Sequence, residues 1–124
     1  MARALTQAPA LEELSLYGNL LGPGGAARIA TLSMPRLTAL RVLKLHMNNI
    51  CDSGLEALYH AFPHTISLSY LDLSSNSLSS SKVPFLCQSL IQHTTRLETL
   101  NLGFNTLEGV GGCALMYLFG ADAS

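Results

Sequence analysis

The sequence predicts an α/β solenoid in which each of four repeats contributes one short strand, one turn and one helix. The pattern LxxLxLxxNx(L/I) occurs four times, as LEELSLYGNLL, LRVLKLHMNNI, LSYLDLSSNSL and LETLNLGFNTL. Its asparagines are Asn19, Asn48, Asn76 and Asn105, at intervals of 29, 28 and 29 residues. Apolar residues at helical spacing follow each of them. A fixed period of this length is typical of stacked-repeat architectures.

The repeated leucines and asparagines each have a physical reason. Alternating leucines place one face of a short strand in a core, while the residues between them face solvent. Each asparagine comes where the chain turns away from its strand, and its side chain can donate to and accept from backbone groups that have left the sheet. A buried unpaired backbone group costs about 1 to 3 kcal/mol, so we expect the four asparagines to be structural.

Helix signals follow each turn. The apolar residues at helical spacing are Ile29, Leu32, Leu55, Leu58, Phe62, Phe85, Leu86, Leu90, Leu115 and Leu118. Ser53 and Glu56 have the spacing of a capping box, and Ser81 is a predicted cap for the third helix. Pro63 is predicted to close the second helix.

A glycine follows the asparagine by six residues in three repeats. Gly25, Gly54 and Gly111 occupy this slot, and Lys82 replaces glycine in the third repeat. We expect a tight turn and a close approach of stacked backbones there. A positive φ at this slot would put Lys82 under strain, whereas a negative φ would make the replacement harmless.

These motifs resemble the leucine-rich repeat family, and within it the ribonuclease-inhibitor-like subtype. The unit of 28 to 29 residues, the asparagine between leucines and the downstream glycine carry the resemblance, and NNICDSGLEALYHAF is its clearest example. The resemblance implies a curved solenoid with a parallel sheet on the concave side and helices on the convex side. The repeats begin at about residues 11, 40, 68 and 97 of a repeat domain spanning 11–124.

Composition argues against several classes of function. Seven Lys and Arg residues are scattered singly and the net charge is -1, so no basic stripe is available for nucleic acid or for a lipid surface. The longest apolar run, 113–119, is far shorter than the ~20 residues of a membrane span. The three cysteines, Cys51, Cys87 and Cys113, have no paired spacing, so we expect small buried thiols in a cytoplasmic or nuclear protein.

Outward-facing strand positions are the candidate binding residues. They fall into columns, which run Glu13, Val42, Tyr70, Thr99; Ser15, Lys44, Asp72, Asn101; Tyr17, His46, Ser74, Gly103; and Gly18, Met47, Ser75, Phe104. Aromatic residues and methionine are enriched in protein interfaces. The candidates for partner contact are Tyr17, Lys44, His46, Met47, Tyr70, Asp72, Asn101 and Phe104. An equally open alternative is that these are ordinary half-exposed sheet residues.

One pair of candidates also suggests a structural role. Lys44 and Asp72 carry opposite charges on neighbouring strands, where a cross-strand pair adds at most about 1 kcal/mol. We interpret this pair as support for the strand register in preference to a role in partner recognition.

Signals for catalysis or for a cofactor are weak. His60 and His64 are four residues apart, but Pro63 lies between them, which makes a shared metal-binding face doubtful. The glycine-rich stretches 22–25 and 109–112 lack the residues of a phosphate-binding loop and occupy the same repeat slot. SSNSLSSSK offers hydroxyl groups without a positioned base. We therefore expect no enzyme activity, cofactor or metal.

The ends of the chain suggest assembly. ALTQAPALEELSL parallels SLIQHTTRLETLNL, so residues 1–10 are interpreted as the tail of a preceding-repeat-like helix. Solenoids normally end in polar capping repeats, and neither end has that pattern. We expect a piece of a larger solenoid, or a subunit whose end rungs are covered by other chains.

The sequence therefore predicts a non-enzymatic protein-protein interaction module that binds through the concave sheet, the uncapped ends or both. Two alternatives stay open. Because the family includes GTPase-activating proteins, the resemblance also allows a regulator of a small GTPase. A ligand-sensing repeat domain that uses the same face is the third hypothesis.

Overall fold

A computed structural model of the chain describes residues 10–107, and within this range it confirms the predicted α/β solenoid. Four strands, β1 (Glu13–Ser15), β2 (Val42–Lys44), β3 (Tyr70–Asp72) and β4 (Thr99–Asn101), form one sheet in the order β1-β2-β3-β4. Every neighbouring pair is parallel. The predicted helical tail at 1–10, except for Ala10, lies outside the described residues. So does the predicted helix of the fourth repeat, with Gly111 and Cys113.

Helices connect consecutive strands. They are α1 (Gly22–Arg28), α2 (Cys51–Tyr59) and α3 (Val83–His93). α1 continues through a π turn at Ile29–Ser33 into a 3₁₀ turn at Met34–Arg36, and a 3₁₀ turn at Phe62–His64 follows α2. Among the described residues, no helix is long and apolar enough to span a membrane.

The leucines of the repeat form the core between the sheet and the helices. The middle rungs are the best covered, since Leu43, Leu45, Leu71 and Leu73 are all completely buried. On the helix side, Leu55, Leu58, Leu86, Leu90 and Phe62 are also buried. Two residues of the predicted helical stripe do not join this core: Leu32 and Phe85 are each 52% exposed.

The strand register agrees with the columns expected from the sequence. Glu13 aligns with Val42, Tyr70 and Thr99 across the sheet. Ser15 aligns in the same way with Lys44, Asp72 and Asn101. The side chains of one column therefore lie in neighbouring rungs about 4.8 Å apart.

The asparagines form a hydrogen-bonded ladder through the turns. Oδ1 of Asn76 accepts from the backbone N–H of Asn48 at 2.9 Å and of Ile50 at 3.3 Å. Its Nδ2 donates to the carbonyls of Leu45 at 2.9 Å and Ser74 at 3.0 Å. Asn48 and Asn105 repeat this arrangement with the rungs before them. The predicted structural role of the asparagines is thus that of a clamp between successive turns.

The predicted helix caps are wrong. α2 begins at Cys51 and lacks a side-chain cap, so Ser53 lies inside the first turn and not before it. α3 is preceded by Lys82 and not by Ser81, again without a side-chain cap. The end of α2 is close to the prediction, because the helix stops at Tyr59 and Pro63 lies in the 3₁₀ turn that follows.

The glycine slot serves close packing and not a tight turn. Gly25 and Gly54 lie inside α1 and α2. A Cβ on Gly54 would meet Ala26 Cβ at 3.1 Å and Pro23 Cα at 3.2 Å, so the slot lets α2 approach α1. Lys82 has a φ of -102° and comes just before α3, because the third helix begins later in its repeat. Lysine is therefore unstrained there.

The two described cysteines differ in their surroundings. Cys87 on α3 is 4% exposed, whereas Cys51 is only partly buried, contrary to the expectation that each thiol is buried. Burial raises the pKa of the Cys87 thiol from the ordinary 9.0 to about 11.

We therefore expect Cys87 to react much more slowly than Cys51 with a disulfide reagent at pH 8 in a Cys113→Ser background. Stability should also fall between pH 9 and 11, because the unfolded thiol ionises there while the folded thiol keeps its proton. Timed labelling followed by mass spectrometry measures the reaction rates of the two thiols. Denaturation of Cys87→Ser and of its parent across that pH range measures the change in stability. Equal labelling rates in the folded protein would contradict this assignment.

Candidate functional site

The outward side of the four strands and the turns just after them, called here the sheet face, carries all the predicted contact residues. The strands present Lys44, Tyr70, Asp72 and Asn101 directly, and the turns present Tyr17, His46, Met47 and Phe104. They differ widely in exposure. Phe104 is 93% exposed, whereas Asp72 is only 7% exposed.

Three candidates from successive rungs are in contact. The ring of Tyr17 stacks on that of His46, with centroids 4.8 Å apart and planes at 14°. His46 Nδ1 lies 3.4 Å from Asp72 Oδ2, although their alignment is not that of a hydrogen bond. Asp72 Oδ1 accepts from both the backbone N–H and the hydroxyl of Ser74, at 3.0 and 2.7 Å. Asp72, whose carboxylate is fixed by Ser74, therefore lies next to His46, and the exposed ring of Tyr17 stacks on the ring of His46.

The expected pair between Lys44 and Asp72 does not form. Lys44 Nζ lies 5.6 Å from the centroid of the Tyr70 ring, a cation-π contact across neighbouring strands. The Asp72 carboxylate is turned to His46 and Ser74 instead. The Asp72 carboxylate already accepts a short, buried hydrogen bond from Ser74 in its own turn, which explains why the half-buried Lys44 contacts the Tyr70 ring instead.

The turn after each strand has an unusual backbone. Gly18, Met47, Ser75 and Phe104, the residues before the four asparagines, all have φ between 54° and 69°. Backbone bonds between rungs fix this conformation, since the N–H groups of Gly18, Met47 and Ser75 donate to the next turn at 2.9 to 3.1 Å. Only the first repeat uses glycine, the residue that adopts a positive φ without cost.

Large apolar side chains project from these turns. Tyr17 is 57% exposed, Met47 55% and Phe104 93%. We call Tyr17, Met47 and Phe104 the apolar rim. Met47 and Phe104 stand at the same repeat position two rungs apart, so about 10 Å separates them. A non-glycine residue in this conformation costs about 1 to 2 kcal/mol, which neither side chain offsets by burial.

Asn101, the remaining candidate, does not take part in these contacts. Asn101 Oδ1 accepts from the backbone N–H of Gly103 at 2.9 Å, which makes the same local turn that Asp72 makes one rung earlier. The sequence columns could not reveal the stacking of Tyr17 on His46 or the positive φ values. They also missed Leu20, which is 85% exposed with a φ of 51°. The position of Leu20 in the turn, directly after Asn19, was the available signal in the sequence for its exposure.

Replacing Phe104 by glycine should leave the fold intact and increase the free energy of unfolding by up to about 1 kcal/mol, because it removes a Cβ from a left-handed position. Phe104→Ala keeps the Cβ and should show no such gain. Chemical denaturation of both variants measures the difference. A clear loss of stability in Phe104→Gly would mean that the ring contributes packing not evident from its exposure.

The described residues contain no metal-binding cluster. Within 10–107, no group of three or more His, Cys, Asp or Glu side chains could hold a metal ion. His60 follows the end of α2, while His64 ends the next 3₁₀ turn, so the two do not share a helix face.

Comparison with known proteins identifies the family. Two family models match the chain, one described as Leucine Rich Repeat at residues 67–90 and one as Leucine Rich repeat at 37–58 and 94–116. Together the matched segments cover more than half of the sequence. The chain belongs to the leucine-rich repeat family, and its repeats are of the ribonuclease-inhibitor-like type.

Several curated proteins are similar over most of the chain. Ribonuclease inhibitor of Sus scrofa is 33% identical over 127 residues, covering 100% of this chain and 27% of that protein. The human NACHT, LRR and PYD domains-containing protein 5 is 30% identical, covering 95% of this chain and 11% of the relative. The mouse NACHT, LRR and PYD domains-containing protein 14 is 36% identical, covering 82% and 10%. The chain thus spans between a tenth and about a quarter of these relatives.

Proposed function

We propose that this protein is a non-enzymatic interaction module that binds another protein through its sheet face. The observation that carries the proposal is the apolar rim, in which three large side chains are more than half exposed along one edge of the sheet. Exposed aromatic residues and methionine in one patch are characteristic of binding surfaces. Membership of a repeat family whose fold presents an extended sheet supports the same conclusion.

The binding surface has ordered and adaptable parts. The stack of Tyr17 on His46 holds two rings in place before a partner arrives, which lowers the entropy cost of binding. Lys44 over Tyr70 adds a cation with a fixed position. Met47 is flexible and can adjust to a partner's apolar side chain. Asp72 acts as a positioning residue beneath His46, since its carboxylate is already shared with Ser74.

The test compares two matched triple variants in affinity capture from native cells followed by mass spectrometry. The first replaces the rim, Tyr17, Met47 and Phe104, by serine. The second replaces three exposed apolar side chains elsewhere, Leu32, Ile66 and Ile91, which are 52%, 60% and 44% exposed. We expect the rim variant to lose the protein partner and the second variant to keep it. Equal retention by both variants would contradict the proposal.

We also propose self-association through the edge of β1. Asn48, Asn76 and Asn105 each accept two N–H groups from the rung before them, but within residues 10–107 no donor reaches Oδ1 of Asn19. Asn19 and Leu20 are both exposed, so this edge offers the same clamp to another chain.

Sedimentation of wild type and Leu20→Lys tests this second proposal. We expect association to increase with concentration in the wild type and to weaken in the variant. A monomer over a wide concentration range would count against it.

A reducing compartment, cytoplasmic or nuclear, is proposed from the two free thiols of the described residues.

A further inference from the structure

The two outer strands of the described sheet leave the core incompletely covered. Within residues 10–107, β1 and β4 each pair with one neighbouring strand, whereas β2 and β3 pair on both sides. The repeat leucines of the middle rungs are completely buried, but those of the two end rungs are not. Leu14, Leu16 and Leu102 keep an exposure of 6 to 8%, and Leu11, Leu97 and Leu100 are only partly buried.

The internal junctions show what an edge of this sheet accepts. The N–H group after each strand donates to the last strand carbonyl of the next rung, as from Leu73 to Asn101 at 2.9 Å. A turn N–H group donates to the next turn, as from Ser75 to Gly103 at 2.9 Å. The N–H group of each asparagine donates to Oδ1 of the next asparagine, at 2.9 Å in all three junctions. These three bonds define the rung that fits an edge.

The edge of β4 presents the donors of such a junction. Within residues 10–107, the N–H groups of Leu102, Phe104 and Asn105 have no acceptor. Their counterparts in the first three rungs are all bonded to the next rung. The edge of β4 therefore has three donors that match the donor positions of the internal junctions.

The edge of β1 presents the matching acceptors. The carbonyls of Ser15 and Tyr17 stand at the acceptor positions of the repeat, and within residues 10–107 no donor reaches Oδ1 of Asn19. Nδ2 of Asn19 donates to the carbonyl of Tyr17 at 3.0 Å, as Nδ2 of Asn76 does to the carbonyl of Ser74 at 3.0 Å. The Asn19 side chain is therefore already held in the orientation that the internal clamp uses.

The side chains of the two edges are complementary in size. Continuing the sheet columns from β4 to β1 of a second copy places Phe104 beside Gly18. The neighbouring column places Gly103 beside Tyr17. Each exposed aromatic residue then has a glycine as its neighbour about 4.8 Å away, which leaves room for both rings.

Two like charges also meet at this junction. Glu98 aligns with Glu12 of the second copy, one position before the strands. Glu12 is already paired with Arg41, whose Nε lies 2.9 Å from its Oε1, so the arginine offsets the repulsion. Both members of that ion pair are more than half exposed, where water and salt screen the charges.

We propose that the edge of β4 binds the edge of β1 of a second copy, head to tail, so that the parallel sheet continues across the junction. This contact rests on the self-association proposed above and specifies its second surface. A symmetric dimer of two β1 edges would leave the three donors of β4 unused. Head-to-tail pairing uses them and does not close at a dimer, so further copies add at either end.

Sedimentation of two edge variants and of their mixture tests the proposal. Leu20→Lys adds a charge at the β1 edge, and Thr106→Lys adds the same charge at the equivalent exposed position of the β4 edge. We expect the wild type to grow beyond a dimer with concentration. Either variant alone should associate about tenfold more weakly. Their equal mixture should form a 1:1 dimer with the strength of one wild-type junction, because one native β4 edge meets one native β1 edge.

Ser77→Lys is the matched control. Ser77 is exposed at the same repeat position, but its rung has described rungs on both sides. This variant should associate like the wild type, and circular dichroism checks that all three variants fold.

Four results would overturn the head-to-tail contact. A wild type that stays monomeric over a wide concentration range removes the self-association itself. Association that stops at a dimer and persists in Thr106→Lys leaves self-association standing but shows a symmetric contact through β1. A mixture that associates no more strongly than its components excludes complementary edges. Equal weakening by Ser77→Lys would show that added charge acts without regard to the edges.

Discussion

Replacing Asn76 by alanine should lower the free energy of unfolding by about 3 to 5 kcal/mol, the largest effect we expect from a single polar residue. Asn76 is completely buried and makes four hydrogen bonds to backbone groups of its own and the preceding turn. Alanine leaves the N–H groups of Asn48 and Ile50 without this acceptor, while the carbonyls of Leu45 and Ser74 each lose one of two donors. Chemical denaturation followed by circular dichroism measures the loss.

Asn19 provides the matched control for this substitution. It occupies the same repeat position but is exposed, and among the described residues its side chain makes one hydrogen bond, to the carbonyl of Tyr17 at 3.0 Å. Asn19→Ala should cost less than about 1 kcal/mol, because water replaces that bond. Similar losses at the two positions would show that the clamp between turns is not the source of stability.

Gly54→Ala should destabilise the protein by about 1 to 3 kcal/mol, as overpacking of a close helix contact does. The added Cβ would come within 2.5 Å of Ile50 Cγ2, 3.1 Å of Ala26 Cβ and 3.2 Å of Pro23 Cα. Ile50 is completely buried and has little room to move, so α2 must shift away from α1. Thermal and chemical denaturation both report the loss.

Gly24→Ala should have the opposite sign. Gly24 lies in α1, its φ is not positive, and a Cβ there would meet nothing within 4 Å. Alanine should therefore stabilise the protein by about 0.4 to 1 kcal/mol, because it restricts the unfolded chain more than glycine does. If both substitutions shifted the unfolding free energy in the same direction, the packing role of Gly54 would be wrong.

Period, alternation and the family resemblance together predicted the sheet. Leucines at a spacing of two, repeated every 28 or 29 residues, predict the strands and the alignment of Val42 with Tyr70, and the resemblance implies the parallel order. The asparagine ladder was predictable for the same reason, since a polar residue at every turn needs partners. These features repeat, and repetition is what a single sequence displays best.

Features that depend on differences between repeats were not predictable. The glycine slot looked like a turn because the start of α2 could not be distinguished from its cap, and Ser53 offered a plausible but wrong signal. The opposite charges of Lys44 and Asp72 predicted a pair, but the Asp72 carboxylate accepts a hydrogen bond from Ser74 in its own turn instead. The different lengths of α2 and α3 were not predictable either, because apolar spacing alone does not specify where a helix ends.

Site-specific photo-crosslinking tests the central claim, that a protein partner covers the sheet face. A photoreactive phenylalanine analogue would be placed at 47 or 104 on the apolar rim, and at 32 or 66 as exposed apolar controls. We predict that both rim positions crosslink to the same protein in native cells and that the control positions do not. Crosslinks to that protein from 32 and 66, with none from 47 and 104, would contradict the claim.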